Sequence, residues 1–174
     1  FPCPGGTVPS IAGLIFTDSD QGIPEVTVNA GGGMSNTTDN LGTYKLNNVQ
    51  KNKTYEIAPI NEKEPLNGVN TGDIIKIQNH ILGKTLISNP YRQIAADVNE
   101  DRDITAQDIV MIRKLLLNKI DQFASGKSWK FIDKKYQFNN PSLGYKESYP
   151  ESIQASTDGK LTDVDFIGTK LGDV

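Results

Sequence analysis

The residues best equipped for chemistry lie in one stretch, Asp97-Val98-Asn99-Glu100-Asp101-Arg102-Asp103-Ile104-Thr105-Ala106-Gln107-Asp108. Counted from Asp97 as position one, side-chain oxygens fall at positions one (Asp97), three (Asn99), five (Asp101) and twelve (Asp108). Asp103 holds position seven, where a helix-flanked cation loop turns a backbone carbonyl inward, and Thr105 holds position nine, where a ligand often acts through water. Ca²⁺ takes about six to eight oxygens, and alternate residues of a tight loop can aim theirs at one centre. Four aspartates this close repel one another unless a cation lies among them. The spacing predicts a calcium site made by Asp97, Asn99, Asp101, Asp103 and Asp108, with Ile104 as an apolar pin. The plainer alternative is a solvated acidic turn in which Asp108 caps a helix.

The elements around this loop follow from periodicity. A helix is expected from Asp108 to Leu117, stopped at Asn118, and another from Asp73 to Leu82, stopped at Gly83, with Ile74, Ile77 and Ile81 on one apolar face. An offset of 35 sets Asp73 on Asp108, Val69 on Ile104, Ile74 on Ile109, Ile77 on Ile112 and Leu82 on Leu117, so a loop-helix unit occurs twice. Upstream the period is two: Ile11–Phe16, Val26 with Val28, Tyr44 with Leu46, and Tyr55 with Ile57 read as short strands joined by turns, including Gly31-Gly32-Gly33. Downstream, Trp129 with Phe131 and Tyr136 with Phe138 suggest a hairpin or paired extended segments, and 141–150 a loop. Trp129 is taken as a packing anchor, with sugar stacking as the lesser alternative.

Composition narrows the function classes. The chain has 174 residues, 36% of them hydrophobic, and a net charge of −3. Two small lobes fit this better than one large core. No basic stripe favours nucleic acid, and no apolar run is long enough to insert in a membrane. The sequence opens on Phe without a signal peptide and reads as a processed or excised segment. Cys3 is the one cysteine and has no internal partner; it is a free thiol or pairs with another chain. His80, the one histidine, stands mid-helix, and no nucleophile–base set can be argued from spacing, so no enzyme is expected.

Thr38-Asp39-Asn40-Leu41-Gly42-Thr43-Tyr44-Lys45-Leu46, with Gly22-Ile23-Pro24-Glu25-Val26-Thr27-Val28 before it, resembles the carboxypeptidase regulatory-like domains and their pilin-type relatives, which are transthyretin-like sandwiches. The resemblance implies that Gly42 makes a turn, that Tyr44 is buried, and that the unit is a spacer or stalk. Some relatives carry a Lys–Asn crosslink; Ser10–Phe16 holds no lysine, so none is expected. The metal loop departs from ordinary EF-hands at position six (Arg102, not Gly) and position twelve (Asp108, not Glu). With the duplicated units, region 67–118 resembles a type I dockerin. Nearly the whole chain after Val8, through Ile94-Ala95-Ala96-Asp97-Val98-Asn99, Ser128-Trp129-Lys130-Phe131 and Phe166–Val174, resembles a C-terminal module of large secreted bacterial surface proteins. The expected architecture is α+β: a small Greek-key β-sandwich (7–60), a dockerin-like pair of loop-helix repeats (61–120) and an extended C-terminal segment packed on that lobe (121–174). The resemblance implies calcium and a secreted, extracellular or cell-surface location.

In the first repeat the loop is degraded: Glu62, Glu64 and Leu66 stand at positions one, three and five, and only Asn70 and Asp73 remain in place. Dockerin first loops open with Gly-Asp-Val-Asn, and this chain ends Gly172-Asp173-Val174. Asp173 is therefore a candidate for position one of a second metal site with Asn67 or the Gly68 carbonyl, Asn70 and Asp73. The tail would fold back or come from another copy; otherwise Asp173 is merely solvated and the site lost. Two functions compete. One is a non-catalytic structural or adhesive module, with a fibre subunit among its forms, associating through strand addition at open sheet edges or through the arm Phe1-Pro2-Cys3-Pro4. The other is a dockerin bound to a cohesin-type scaffold through Ala106, Gln107, Arg113 and Lys114, or Thr71, Gly72, Gln78 and Asn79. Neither set has the Ser-Thr pair common in cohesin binders, so the structural reading is preferred.

Overall fold

The computed structural model describes residues 10–157 and 163–174. Cys3 and the arm Phe1–Pro4 lie outside the described residues. Five strands come first: β1 (Ile11–Phe16), β2 (Thr27–Asn29), β3 (Ser35–Thr37), β4 (Thr43–Leu46) and β5 (Thr54–Ile60). Helices α1 (Thr71–Ile81), α2 (Pro90–Ala96) and α3 (Ala106–Leu116) follow, then β6 (Trp129–Asp133), a 3-10 helix (Pro141–Lys146), β7 (Ile153–Ser156) and β8 (Phe166–Lys170). The fold is mixed α+β with two four-stranded sheets, ordered β4-β1-β8-β6 and β3-β2-β5-β7.

The sheets face each other across one core. Ile11, Ile15, Tyr44, Leu46, Phe131 and Phe166 enter it from the first sheet, and Val28, Tyr55, Ile57 and Ala155 from the second. Alternation puts Ile11, Gly13 and Ile15 of β1 on the buried face. The β3–β4 turn is held by Asp39, whose Oδ1 accepts from Leu41 N and Thr43 N at 2.9 Å each. Gly42, at φ 75°, completes it; a Cβ there would stand 2.1 Å from the Ile15 carbonyl oxygen. Tyr44 is buried, and its hydroxyl donates to the Val164 carbonyl at 2.5 Å.

The C-terminal third does not simply pack on the helices. β8 lies inside the first sheet, parallel to β1 and antiparallel to β6, and β7 extends the second sheet along β5. From this third, Phe123, Leu171 and Val174 enter the helical core beside Val69, Ile77, Ala95, Val98 and Ile112, with Tyr145 packed against it. The link is continuous: Thr169 Oγ1 donates to the Tyr91 carbonyl at 2.9 Å, and Gly172 N to the Ala95 carbonyl at 2.8 Å.

Three local expectations need correction. Ile81 is 41% exposed, because the α1 core face ends with Ile74 and Ile77. Tyr136 and Phe138 form no hairpin with β6, whose partner is β8; they pack edge to face in the loop that follows. α2 was not foreseen, although Asn89 caps it by accepting from Tyr91 N and Pro90 opens it.

Candidate metal centre

The loop from Asp97 to Asp108 joins α2 to α3. Asp97 ends α2, and its carboxylate folds over the turn, accepting from Asp101 N at 3.2 Å and Arg102 N at 2.9 Å. Asp108 is fully buried in the first turn of α3. Its Oδ2 accepts from Thr105 N at 2.8 Å, and its Oδ1 from Val98 N at 3.0 Å. Thr105 caps the helix in return. Glu100 and Arg102 take left-handed φ of 60° and 67°, so the tight turn is made without glycine at position six.

Asp97 and Asp108 are drawn inward, whereas Asp101 and Asp103 stay exposed. Asn99 Nδ2 donates to Asp101 Oδ2 at 2.7 Å, and Lys146 Nζ lies 3.7 Å from Asp103 Oδ1. Among the described residues no three acidic, histidine or cysteine side chains form a ready metal cluster. The electrostatics still call for positive charge. Burial, with Asp108 and Asp101 nearby, pushes the Asp97 carboxyl up to about 6 despite the amide hydrogen bonds it accepts. Burial also raises Asp108. The donors are hard oxygens, so the residues present fit Ca²⁺ rather than a softer ion.

Sequence reasoning missed the neighbour of this loop. Lys130 is buried on β6, with Nζ 2.8 Å from Glu100 Oε2 and 3.3 Å from Glu151 Oε1. Burial pushes Glu100 up, but the Lys130 hydrogen bond and charge bring it below the ordinary range. The sheet thus holds position four of the loop through an ion pair. A polar cavity of about 240 Å³ opens beside it, lined in part by Asp97, Arg102 and Tyr149.

The first repeat shows a related arrangement. Asp73 is fully buried in the first turn of α1 and accepts from Asn70 N at 2.9 Å through Oδ2. Its Oδ1 accepts from Val174 N at 3.1 Å. Asp173 lies against Gly68: a Cβ on that glycine, at φ 84°, would stand 2.4 Å from Asp173 Oδ2. Asn70 Nδ2 donates to the Gly68 carbonyl at 3.0 Å, while Asn67 Nδ2 donates to Glu64 at 3.3 Å. Burial and then the charge of Asp73 raise the Asp173 carboxyl, with Lys76, Arg92 and Lys170 opposing. Lys170 is buried beside this loop, donates to the Pro65 carbonyl at 3.1 Å, and is lowered to about 8 by burial. His80 has a structural contact: Nδ1 accepts from Ile87 N at 3.1 Å.

A search of curated proteins and a search of solved structures each returned no match. Among the described residues no helix is long and apolar enough to cross a membrane. The family model of the dockerin type I domain matches residues 67–117, which span both helix-capping aspartates, Asp73 and Asp108.

Proposed function

We propose that this chain is a non-catalytic, calcium-binding interaction module of a secreted or surface-associated protein. The observation that carries the reading is the pair of inward-held carboxylates, Asp97 and Asp108, within the dockerin-matched region. Asp97, Asn99, Asp101, the Asp103 carbonyl and Asp108 would hold Ca²⁺, which would supply the positive charge that these carboxylates lack. Calcium at about 100 to 1,000 times its dissociation constant would add roughly 3–4 kcal/mol to stability. A chelator should therefore lower the melting temperature clearly, and Asp97→Ala or Asp108→Ala should remove most of that response. A melting curve that ignores both calcium and chelator sinks the metal reading.

Two kinds of partner fit this module. The dockerin match favours a cohesin-type protein. The surface supports it: Ile75 and Val110, and Leu82 and Leu117, are exposed apolar pairs related by the 35-residue offset, so the two helices present similar patches. The other partner is another copy of the chain, in a fibre or adhesive assembly, with the two sheets acting as a spacer like those of carboxypeptidase regulatory-like domains. A cohesin pulldown beside sedimentation at high concentration separates them. Capture by cohesin without self-association selects docking, and the reverse selects assembly.

A further inference from the structure

We infer that Asp173 completes a second calcium site, split between the first loop of the dockerin-matched region and the residues that follow β8. This rests on the reading that the loop from Asp97 takes calcium. The hydrogen bonds at Asp73 and Asp108 correspond. At Asp108, one carboxylate oxygen accepts from the cap residue's N–H (Thr105, 2.8 Å) and the other from Val98 N (3.0 Å). At Asp73, one accepts from the cap residue's N–H (Asn70, 2.9 Å) and the other from Val174 N (3.1 Å). Val174 thus stands to Asp73 as Val98 stands to Asp108, and both valines are buried in the helical core. The residue before Val98 is Asp97, at position one; the residue before Val174 is Asp173. A strand end distant in sequence supplies the position that Glu62 fails to fill.

The surroundings accommodate an ion. Gly68 corresponds to Asp103 by the same offset and so takes position seven, which contributes a backbone carbonyl. Its missing side chain leaves the room that the Asp173 carboxylate uses. Asn70, at position nine, and Asp73, at position twelve, bring further oxygen donors, and Asn67 borders them. Lys76 is the competing cation. Its Nζ lies 3.3 Å from Asp73 Oδ1 and also donates to the Val174 carbonyl. At Asp108 the matching oxygen accepts from Asn99 N at 3.4 Å, so Lys76 stands in for that amide and not for an ion at the loop's centre. With two carboxylates, Asp73 and Asp173, the split site should bind more weakly than the Asp97 loop, because affinity follows ligand charge.

Calorimetric titration of the full chain with CaCl₂ tests this, using wild type, Asp173→Asn and Asp97→Asn, with circular dichroism to show each is folded. The expected result is two equivalents in wild type, a tighter and a weaker. Asp173→Asn should lose the weaker and keep the tighter, and Asp97→Asn should do the reverse. One equivalent in wild type, abolished by Asp97→Asn and unmoved by Asp173→Asn, overturns the split site while leaving the Asp97 loop standing. No equivalents overturns both. Because Asp173→Asn removes charge without volume, Gly68→Val provides a second variant that fills the room Asp173 occupies; a retained weaker equivalent in that variant also counts against the site. Sedimentation with calcium completes the test: a calcium-driven rise in mass that Asp173→Asn abolishes would replace closure within one chain by a tail from another copy.

Discussion

Lys170 is buried, and among the described residues no carboxylate lies within ion-pair distance of it; its ammonium donates to the Pro65 carbonyl and lies 5.8 Å from the Trp129 ring centroid. Its folded value of about 8 lies below the ordinary lysine range, so the unfolded chain binds more protons there between roughly pH 8 and 10. Stability contributed by this residue must therefore rise with pH in that window. Denaturant titration without calcium at pH 7 and pH 9.5 should show wild type gaining about 1–2 kcal/mol over Lys170→Met. A pH response that survives in the variant would show that other groups cause it. Lys130, buried on the same sheet, behaves oppositely: burial lowers it, but Glu100, Tyr149 and Glu151 outweigh burial and raise it. Two buried lysines a strand apart thus differ in sign: Glu100 and Glu151 pair directly with Lys130, whereas Asp173 and Glu64 raise Lys170 too little to offset its burial.

β8 is the element on which both hydrophobic cores depend. Phe166 and Gly168 face the core between the two sheets, where a Cβ on Gly168 would stand 2.5 Å from Ile23 Cδ1, and Leu171 just beyond the strand enters the helical core. Leu171→Ala should cost about 2–4 kcal/mol, since it leaves a cavity among tightly packed neighbours. Denaturant unfolding measures this loss; a cost below about 1 kcal/mol would mean that the tail is not part of the core. The same element explains what the sequence revealed and what it hid. β1, β4 and β5 were legible because each has one buried and one exposed face, as in Tyr44 and Leu46 against Thr43 and Lys45. α1 and α3 were legible from apolar spacing and from the Asp at the third helical position. β8 carries no such pattern: it is covered on both sides, and its buried residues include Thr169 and Lys170. Its parallel pairing with β1 joins residues about as far apart as the chain allows, which no local pattern encodes. α2 escaped for another reason. Its seven residues are too few to display a period, and its buried Ile94, Ala95 and Ala96 are contiguous. In the metal loop the aspartate spacing was legible, but the inward turn of Asp97 and Asp108 and the outward turn of Asp101 and Asp103 depend on backbone amides visible only in three dimensions.

At the scale of the molecule, the sheets and helices share a strand, a tail and polar ties such as Arg92 to Asp18, at 3.4 Å. Units linked this way should unfold together rather than one after the other. Calorimetry with calcium should show one transition, with the calorimetric and van't Hoff enthalpies equal; two resolved transitions would mean that the two hydrophobic cores can melt separately. The parallel pairing of β1 with β8 has a further consequence, for the order of events in time. Leu14 N donates to Asp165 Oδ1 across 151 residues, and β1 has β8 as one of its two neighbours. The first sheet therefore cannot close until residues 166–170 have been synthesised. Contacts this distant must pay for loop closure before they return any stability, so folding should be slow for a chain of this size. Until β8 arrives, β1 keeps an open edge and Ile11 and Ile15 lack part of their cover. A nascent chain would therefore expose a strand edge that a chaperone, or an unwanted neighbour, could pair with.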